Sequence, residues 1–429
     1  MERWNITELK DLAYDITVGH VGTMANEYCD GGIVFLRSQN VVPYKILLDD
    51  VKFISQMFHK KLKKSTLNPG DVVIVRTGKP GASAVIPESL PISNCSDLVI
   101  VRPGKDLDSR FLCYYINSVA SHYVNSQLVG AVQQHFNVSS TRSLKINLPP
   151  INEQKGIARI LGTLDDKIEL NRKMNENLEA MARAIFKSWF VDFDPVRAKM
   201  DGRQPAGMNT ETAALFPDSF EDSPFGKIPK GWKVGRLSEI IEIIGGGTPK
   251  TKTEEYWNGN IPWFSVVDAP ADSGVFVIDT EKKITQAGLN NSSTRLLPLN
   301  TTIISARGTV GKCALVGTPM AFNQSCYGIR PIKGNGEFFT YFLMRQSVSE
   351  LQQGGHGSVF NTITRDTFDS LKMCITHSKI SMQFDHIIRY LMDQMKCNLF
   401  ESASLASIRD ILLPKLLSGE IRVEEVEAP

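Results

Sequence analysis

The two halves of this 429-residue chain match in order at an offset near 230 residues. A duplication of that length confines the fold to two similar domains, each followed by the same kind of closing element. An apolar, strand-like run, Asp71-Val-Val-Ile-Val75, is followed by Arg76-Thr-Gly-Lys-Pro-Gly81, and Thr302-Ile-Ile-Ser-Ala306 is followed in the same way by Arg307-Gly-Thr-Val-Gly311. Each run is preceded by a turn containing Leu, Asn and Pro, Leu67-Asn-Pro-Gly70 and Leu297-Pro-Leu-Asn300. Next, Asn94-Cys-Ser leads into Ile100-Val-Arg-Pro103 as Asn323-Gln-Ser leads into Ile329-Arg-Pro331, and in both the proline closes a strand. Aromatic helical segments follow, Phe111–Ile116 and Phe338–Leu343, and then two polar loops ending in Phe-Asn, Gly130–Asn137 and Gly354–Asn361.

A long amphipathic helix closes each half. In the first, Ile157, Leu161, Leu164, Ile168, Leu178, Ala182, Ile185 and Trp189 recur at alternating steps of three and four, the seam of a coiled coil. The second repeats the design with Ile387, Leu391, Met395, Leu405, Ile408, Leu412 and Leu416. Both seams are interrupted near their centres, by Asn171 and Asn175 in one and by Asn398 and Ser402 in the other. Buried polar residues of this kind cost stability and fix register and partner number. A stripe of about ten turns is longer than one small domain can cover. Between the halves, residues 192–230 carry Pro195, Pro205, Pro217, Pro224 and Pro229 and read as a linker.

Charge settles little. The net charge is +2, which neither announces nor excludes a nucleic-acid partner. One cationic run, His59, Lys60, Lys61, Lys63 and Lys64, reads equally as a solvated face and as phosphate contact. Seven cysteines are dispersed without a C-x-x-C pair or a His at zinc-ligand spacing, so no structural zinc is expected. With a polar start and no apolar run of membrane-spanning length, they point to reduced thiols in a cytoplasm and to no membrane.

Taken in order, these residues resemble the Type I restriction-modification specificity subunits, and the likeness covers almost the whole chain. It rests on Leu148-Pro-Pro-Ile-Asn-Glu-Gln154 before the first helix, Phe186-Lys-Ser-Trp-Phe-Val-Asp-Phe-Asp-Pro195 at its exit, and Gly226-Lys-Ile-Pro-Lys-Gly-Trp232. Gly245-Gly-Gly-Thr-Pro249, Ile261-Pro-Trp-Phe264 and Leu413-Pro-Lys-Leu-Leu-Ser-Gly-Glu-Ile421 extend it. The start of the second helix departs from the pattern, since Ser378-Lys-Ile-Ser-Met-Gln383 lacks the double proline and the glutamate.

The resemblance implies an α+β fold of two repeated α/β target-recognition domains, 1–150 and 231–378. They would be separated by two long helices, 151–191 and 379–420, packed as an antiparallel coiled coil, with a linker at 192–230 and a tail at 421–429. It further implies a cytoplasmic, non-catalytic subunit that reads a bipartite site in double-stranded DNA, one domain per half-site. Two DNA-adenine methyltransferase subunits and the restriction/translocase subunits would be its partners. S-adenosylmethionine, ATP and magnesium then belong to those partners, and this chain holds no cofactor and no metal. A helix of ~35 residues is roughly 50 Å long at about 1.5 Å per residue, while major-groove faces recur about every 34 Å. Such helices would serve as a ruler between two separately read sites.

The rival reading is an enzyme in its own right. A base-flipping amino-methyltransferase needs Asn or Asp before Pro-Pro and an aromatic after it, but Pro149-Pro150 stands between Leu and Ile. Gly245-Gly-Gly lacks dinucleotide-type spacing. Asp218, Glu221 and Asp222 could hold a divalent metal, but no lysine follows closely and they fall in the presumed linker.

Base contacts are expected from polar loops at matched positions, because Asn and Gln bond adenine bidentately and Arg or Lys bond guanine. In the first domain the candidates are Arg37, Ser38, Gln39, Asn40, Arg76, Lys79, Gln133, Gln134, His135 and Asn137. In the second they are Ser265, Asp268, Arg307, Thr309, Lys312, His356, Ser358 and Asn361. The two histidines have no metal-ligand companions and read as hydrogen-bonding loop residues.

Overall fold

The apolar runs of the repeat become the middle strands of two antiparallel sheets. This is seen in a computed structural model of the protein, which describes residues 4–126, 137–270, 274–332, 334–353 and 362–423. The chain divides into two units, residues 1–168 with 404–429, and residues 169–403. The β-rich part of each unit is called its head below.

In the first head the order across the main sheet is Ser83–Val85, Val72–Val75, Leu98–Pro103, Ala13–Val18, every pair antiparallel. In the second it is Cys313–Val316, Thr302–Ser305, Cys326–Pro331, Ile241–Gly245, the same order and sense, with Phe276–Val277 added parallel at one edge. Each central strand is buried on both faces, which explains why Val72 to Val75 read as an unbroken apolar run rather than an alternation. A second sheet in each head contains a parallel pair, Ile33–Leu36 with Ser93–Cys95 and Trp257–Phe264 with Ala321–Phe322. A two-stranded ribbon closes each head, Asn5–Glu8 on Lys145–Leu148 and Lys233–Arg236 on Lys372–Ile375.

The long helices run Ile151–Phe190 and Ser378–Ser418. In the first unit Ile157 and Leu161 share a core with Leu413, Leu416 and Leu417. In the second unit Asn171 bonds to residues 398, 401 and 402, whereas Asn175 bonds to 395 and 398. Partner number falls as helix number rises, as it does in the first unit from Glu153 with Arg422 to Asp165 with Arg409, so the chain segments pack antiparallel in both units.

Burial along the first seam is uneven, and toward its end Glu179 and Phe186 are buried beside half-buried Leu178 and Ile185. Ile157 and Leu161 are fully buried, Asn171 is 1% exposed, and Leu164, Ile168, Asn175, Leu178 and Ile185 are half-buried. The second is turned by about one residue in places, whereas Met395 and Leu416 are buried where expected. Phe384, Ile388, Met392 and Met395 fill the interior while Ile387, Leu391, Leu405 and Leu412 lie half-buried beside it, and Ile408 is 46% exposed. The Ile387-Ile388 and Leu412-Leu413 doublets offer apolar side chains in both registers, so periodicity alone could not choose between them.

Residues 192–230 differ from the expected linker, since they are folded within the second unit. Asp194–Met200 and Thr210–Ala214 are helical, and Phe220–Ser223 pairs with Gly226–Pro229 as a hairpin. Val196, Ala198, Ala213 and Phe216 are buried, and Phe216 meets Trp189 edge-on at 5.1 Å. Pro195 sits at the start of its helix, where the missing N–H costs nothing, so the proline-rich composition caps structure here instead of preventing it.

Candidate nucleic-acid interface

In each head two turns converge on one short segment. The first is the hairpin turn after the central strand. Gly81 donates its N–H to the Val75 carbonyl and Val75 donates to Ala82, as Gly311 donates to Ser305 and Ser305 to Lys312. Gly78, Gly81, Gly308 and Gly311 all have positive φ, the backbone conformation that favours glycine. These bonds pair Arg76 with Ala306 and Thr77 with Arg307, so the two arginines that align in sequence sit one position apart in the folded turn.

The second is a single 3-10 turn leaving the parallel strand, Ser38–Asn40 and Val266–Asp268. Asn40 Oδ1 accepts from the Arg37 N–H at 3.0 Å, and Asp268 Oδ2 accepts from the Ser265 N–H at 2.8 Å. Between the turns lies the Asn-x-Ser segment of the repeat. Ser96 donates to the Leu36 carbonyl and Asn323 to that of Phe264. On the other side Arg76 pairs with Asp97 at 2.8 Å, and Ala306 donates to Ser325.

The candidate side chains are not equally free. Asn40 is 2% exposed and its amide donates to the Leu47 and Asp50 carbonyls, so it builds the turn and cannot face a base. Asp268 is likewise engaged by Ser265 and the Glu281 N–H. Arg37 and Gln39 are held by Asp50, with Gln39 exposed and Ser38 half-buried. Lys79, Arg307 and Thr309 are exposed and Lys312 is half-buried. Asn137 caps the helix Val138–Arg142, accepting from the Ser140 N–H at 2.9 Å. Its counterpart in the fold is Thr364, the cap of Arg365–Ser370, rather than Asn361. Gln133, Gln134, His135, His356, Ser358 and Asn361 lie outside the described residues.

Sequence reasoning passed over Asp97 and Thr77, which together fix Arg76; Thr77 Oγ1 donates to Asp97 Oδ2 at 2.7 Å. It also passed over the Thr248–Gln324 hydrogen bond beside the equivalent segment. The repeated Asn-x-Ser was the available signal, because a polar triplet between two strands has to be satisfied by something nearby.

Ionisable groups anchor each head to the helices within its own unit. Tyr114 donates to Asp165 Oδ2 at 2.5 Å and Arg409 bonds Asp165 Oδ1 at 2.7 Å, with the Arg409 guanidinium 5.3 Å from the Tyr44 ring centroid. Burial, then the bond to Asp165, pushes the Tyr114 hydroxyl up, so it stays a donor. In the second unit Arg345 bonds Glu179 at 2.6 Å beside Tyr341. Glu153 of the Glu-Gln signature takes Arg422 at 2.7 Å and Trp4 Nε1 at 3.3 Å, and buried Gln154 holds the Asp108 N–H. Where that signature is missing, Asp385 takes over. It accepts from the N–H groups of Phe338 and Phe339 at 3.0 and 2.7 Å, and burial pushes its carboxyl up to about 6.

Among the described residues no group of three or more His, Cys, Asp and Glu is placed to hold a metal, and no helix is long and apolar enough to cross a membrane. Of the carboxylates weighed for a nuclease, Glu221 accepts from the Gly231 N–H and Asp222 pairs with Lys227, both as parts of the hairpin.

A duplicated head that presents the same pair of turns with different side chains is the architecture of a two-site recognition protein. The chain belongs to the family of the Type I restriction modification DNA specificity domain, which it matches over residues 1–180 and 229–396, and its function is DNA sequence specificity in a Type I restriction-modification system. It is 27% identical to the Type I restriction enzyme HindI specificity subunit of Haemophilus influenzae, over 91% of this chain and 94% of that one. It is 25% identical to the MjaIX specificity subunit of Methanocaldococcus jannaschii, over 99% and 94%. The crystal structure of a Type I restriction-modification S subunit from M. genitalium shares the fold with a TM-score of 0.55 at 15% identity, over 96% of both chains.

Proposed function

We propose that each head reads one half of a split site in duplex DNA and that the chain contributes recognition and no chemistry. The observation that carries this reading is the doubled pair of turns: the backbone geometry is repeated in both heads, whereas Arg37-Ser-Gln-Asn40 is replaced by Ser265-Val-Val-Asp268. Conserved geometry with exchanged side chains is what two readers of different half-sites require, since the scaffold sets the approach and the side chains select the base. Exposed Lys79, Arg307 and Thr309 are the residues best placed to make such contacts.

In this reading two DNA-adenine methyltransferase subunits and the restriction/translocase subunits dock on the chain in the cytoplasm. S-adenosylmethionine, ATP and magnesium serve those partners. Purified alone and given all three, the chain is expected neither to methylate nor to cut duplex DNA, while addition of the methyltransferase partner yields methylation at a split sequence. Turnover by the partner-free chain would contradict the proposal.

A further inference from the structure

The cationic run that charge alone left open has a defined place in the first head. Ser55 caps the helix Gln56–Lys61 by accepting from the Phe58 N–H at 3.1 Å. Buried Asn94 grips the end of that helix, with Nδ2 donating to the Leu62 carbonyl at 3.1 Å and lying 3.3 Å from His59 Nδ1, while Ser65 Oγ donates to Asn94 Oδ1 at 2.6 Å. Lys60, Lys61, Lys63 and Lys64 all point from this pinned segment to solvent, and among the described residues none of them is in an ion pair. Four exposed lysines on one short pinned segment concentrate positive potential where an anion can meet them. The segment also adjoins the proposed reading turns, because Phe58 packs edge-on against His20 at 5.6 Å, His20 bridges to Ser96, and Asp97 holds Arg76.

The second head builds the same helix without the charge. Thr285 caps Gln286–Asn290 as Ser55 caps Gln56–Lys61. The positions equivalent to the four lysines are Asn290, Asn291, Ser293 and buried Thr294, with a single arginine, Arg295, following.

We propose that Lys60, Lys61, Lys63 and Lys64 form a phosphate clamp on the DNA backbone, so that the first head carries more of the sequence-independent affinity than the second. This rests on the reading of the heads as readers of duplex DNA. Each phosphate contact contributes about 0.9 to the slope of log K against log salt. In the complex assembled with the methyltransferase partner, changing the four lysines to Gln is expected to lower that slope by up to ~3.6. Between 50 and 200 mM salt, a slope change of that size means the wild-type complex loses on the order of 10²-fold more affinity than the variant. The loss at low salt should be equal on cognate and unrelated duplexes, because phosphates carry no sequence. Placing lysines in the second head, as N290K, N291K and S293K together, should raise the slope of the quadruple Gln variant again. An unchanged slope in that Gln variant, or a loss confined to the cognate duplex, would overturn the clamp. Absence of duplex binding by the wild-type complex would instead remove the reading on which it rests.

Discussion

Phe384→Ala is expected to lower the stability of the second unit by about 3–5 kcal/mol. Phe384 is 0% exposed, and its ring lies 5.8 Å from Phe186, 6.0 Å from Trp189, 5.4 Å from Phe190 and 6.0 Å from Phe342. Three separate elements meet at this side chain: both long helices and the head helix Glu337–Gln353. Each is fixed by its own contacts elsewhere, so none can move in to fill the space a truncation leaves, and the cavity adds to the lost transfer free energy. Met382, two residues earlier and 50% exposed, serves as the control, and Met382→Ala should change stability by less than about 0.5 kcal/mol. Urea unfolding of the two variants measures the difference. A loss below about 1 kcal/mol for Phe384→Ala would mean that the aromatic cluster does not hold the head to the helices.

Asp385, one residue further on, makes stability depend on pH in an unusual direction. Burial pushes its carboxyl up to about 6 in the folded protein against an ordinary value of 3.8, because it costs the charged form more than the backbone N–H bonds and the Arg389 charge return. The folded state therefore binds the proton more tightly than the unfolded chain does. The stabilising contribution is fully present below pH 3.8 and is lost as pH rises to about 6, beyond which it stays constant. At 1.36 kcal/mol per unit, the whole effect is about 3 kcal/mol. Asp385→Asn keeps an oxygen acceptor for the helix and removes the titration. The unfolding free energy of this variant relative to wild type should therefore shift in the variant's favour by roughly 2.4 kcal/mol between pH 4 and pH 7. Comparing the two proteins at each pH cancels the other carboxylates, and a difference that stays flat would show that burial does not perturb this group.

The duplication was legible in the sequence because both halves keep the same order of glycine turns, apolar runs and prolines, and these are the residues whose backbone demands are least negotiable. The long helices were legible for the related reason that a periodic apolar stripe has few other uses. What could not be read was register wherever two neighbours are equally apolar. Ile387 and Ile388 satisfy the same pattern, and only the Phe384 cluster decides between them. The alignment of Arg76 with Arg307 failed for a similar cause, since identity of letters cannot outvote the hydrogen bonds that set the turn. Composition misread residues 192–230, where prolines start helices and a hairpin around buried Val196 and Phe216.

The candidate contacts were legible as loops and much less so as residues. Asn40 has the right chemistry for adenine, but its amide is consumed by the turn it closes. Arg76 was singled out without the partner that orients it, because Asp97 is 21 residues distant in the chain and reaches it only once the sheet has formed.

The central claim is that the two heads read independently, and the most direct measurement is the sequence of methylated sites after one head has been exchanged. Residues 1–150 are replaced by the equivalent domain of a different specificity subunit, the complex is assembled with the methyltransferase partner, and methylated positions are sequenced genome-wide. One half of the recognised sequence should change to that of the donor while the other half stays as in the parent. If both halves changed together, or if neither did, the heads would not be separate readers of a split site.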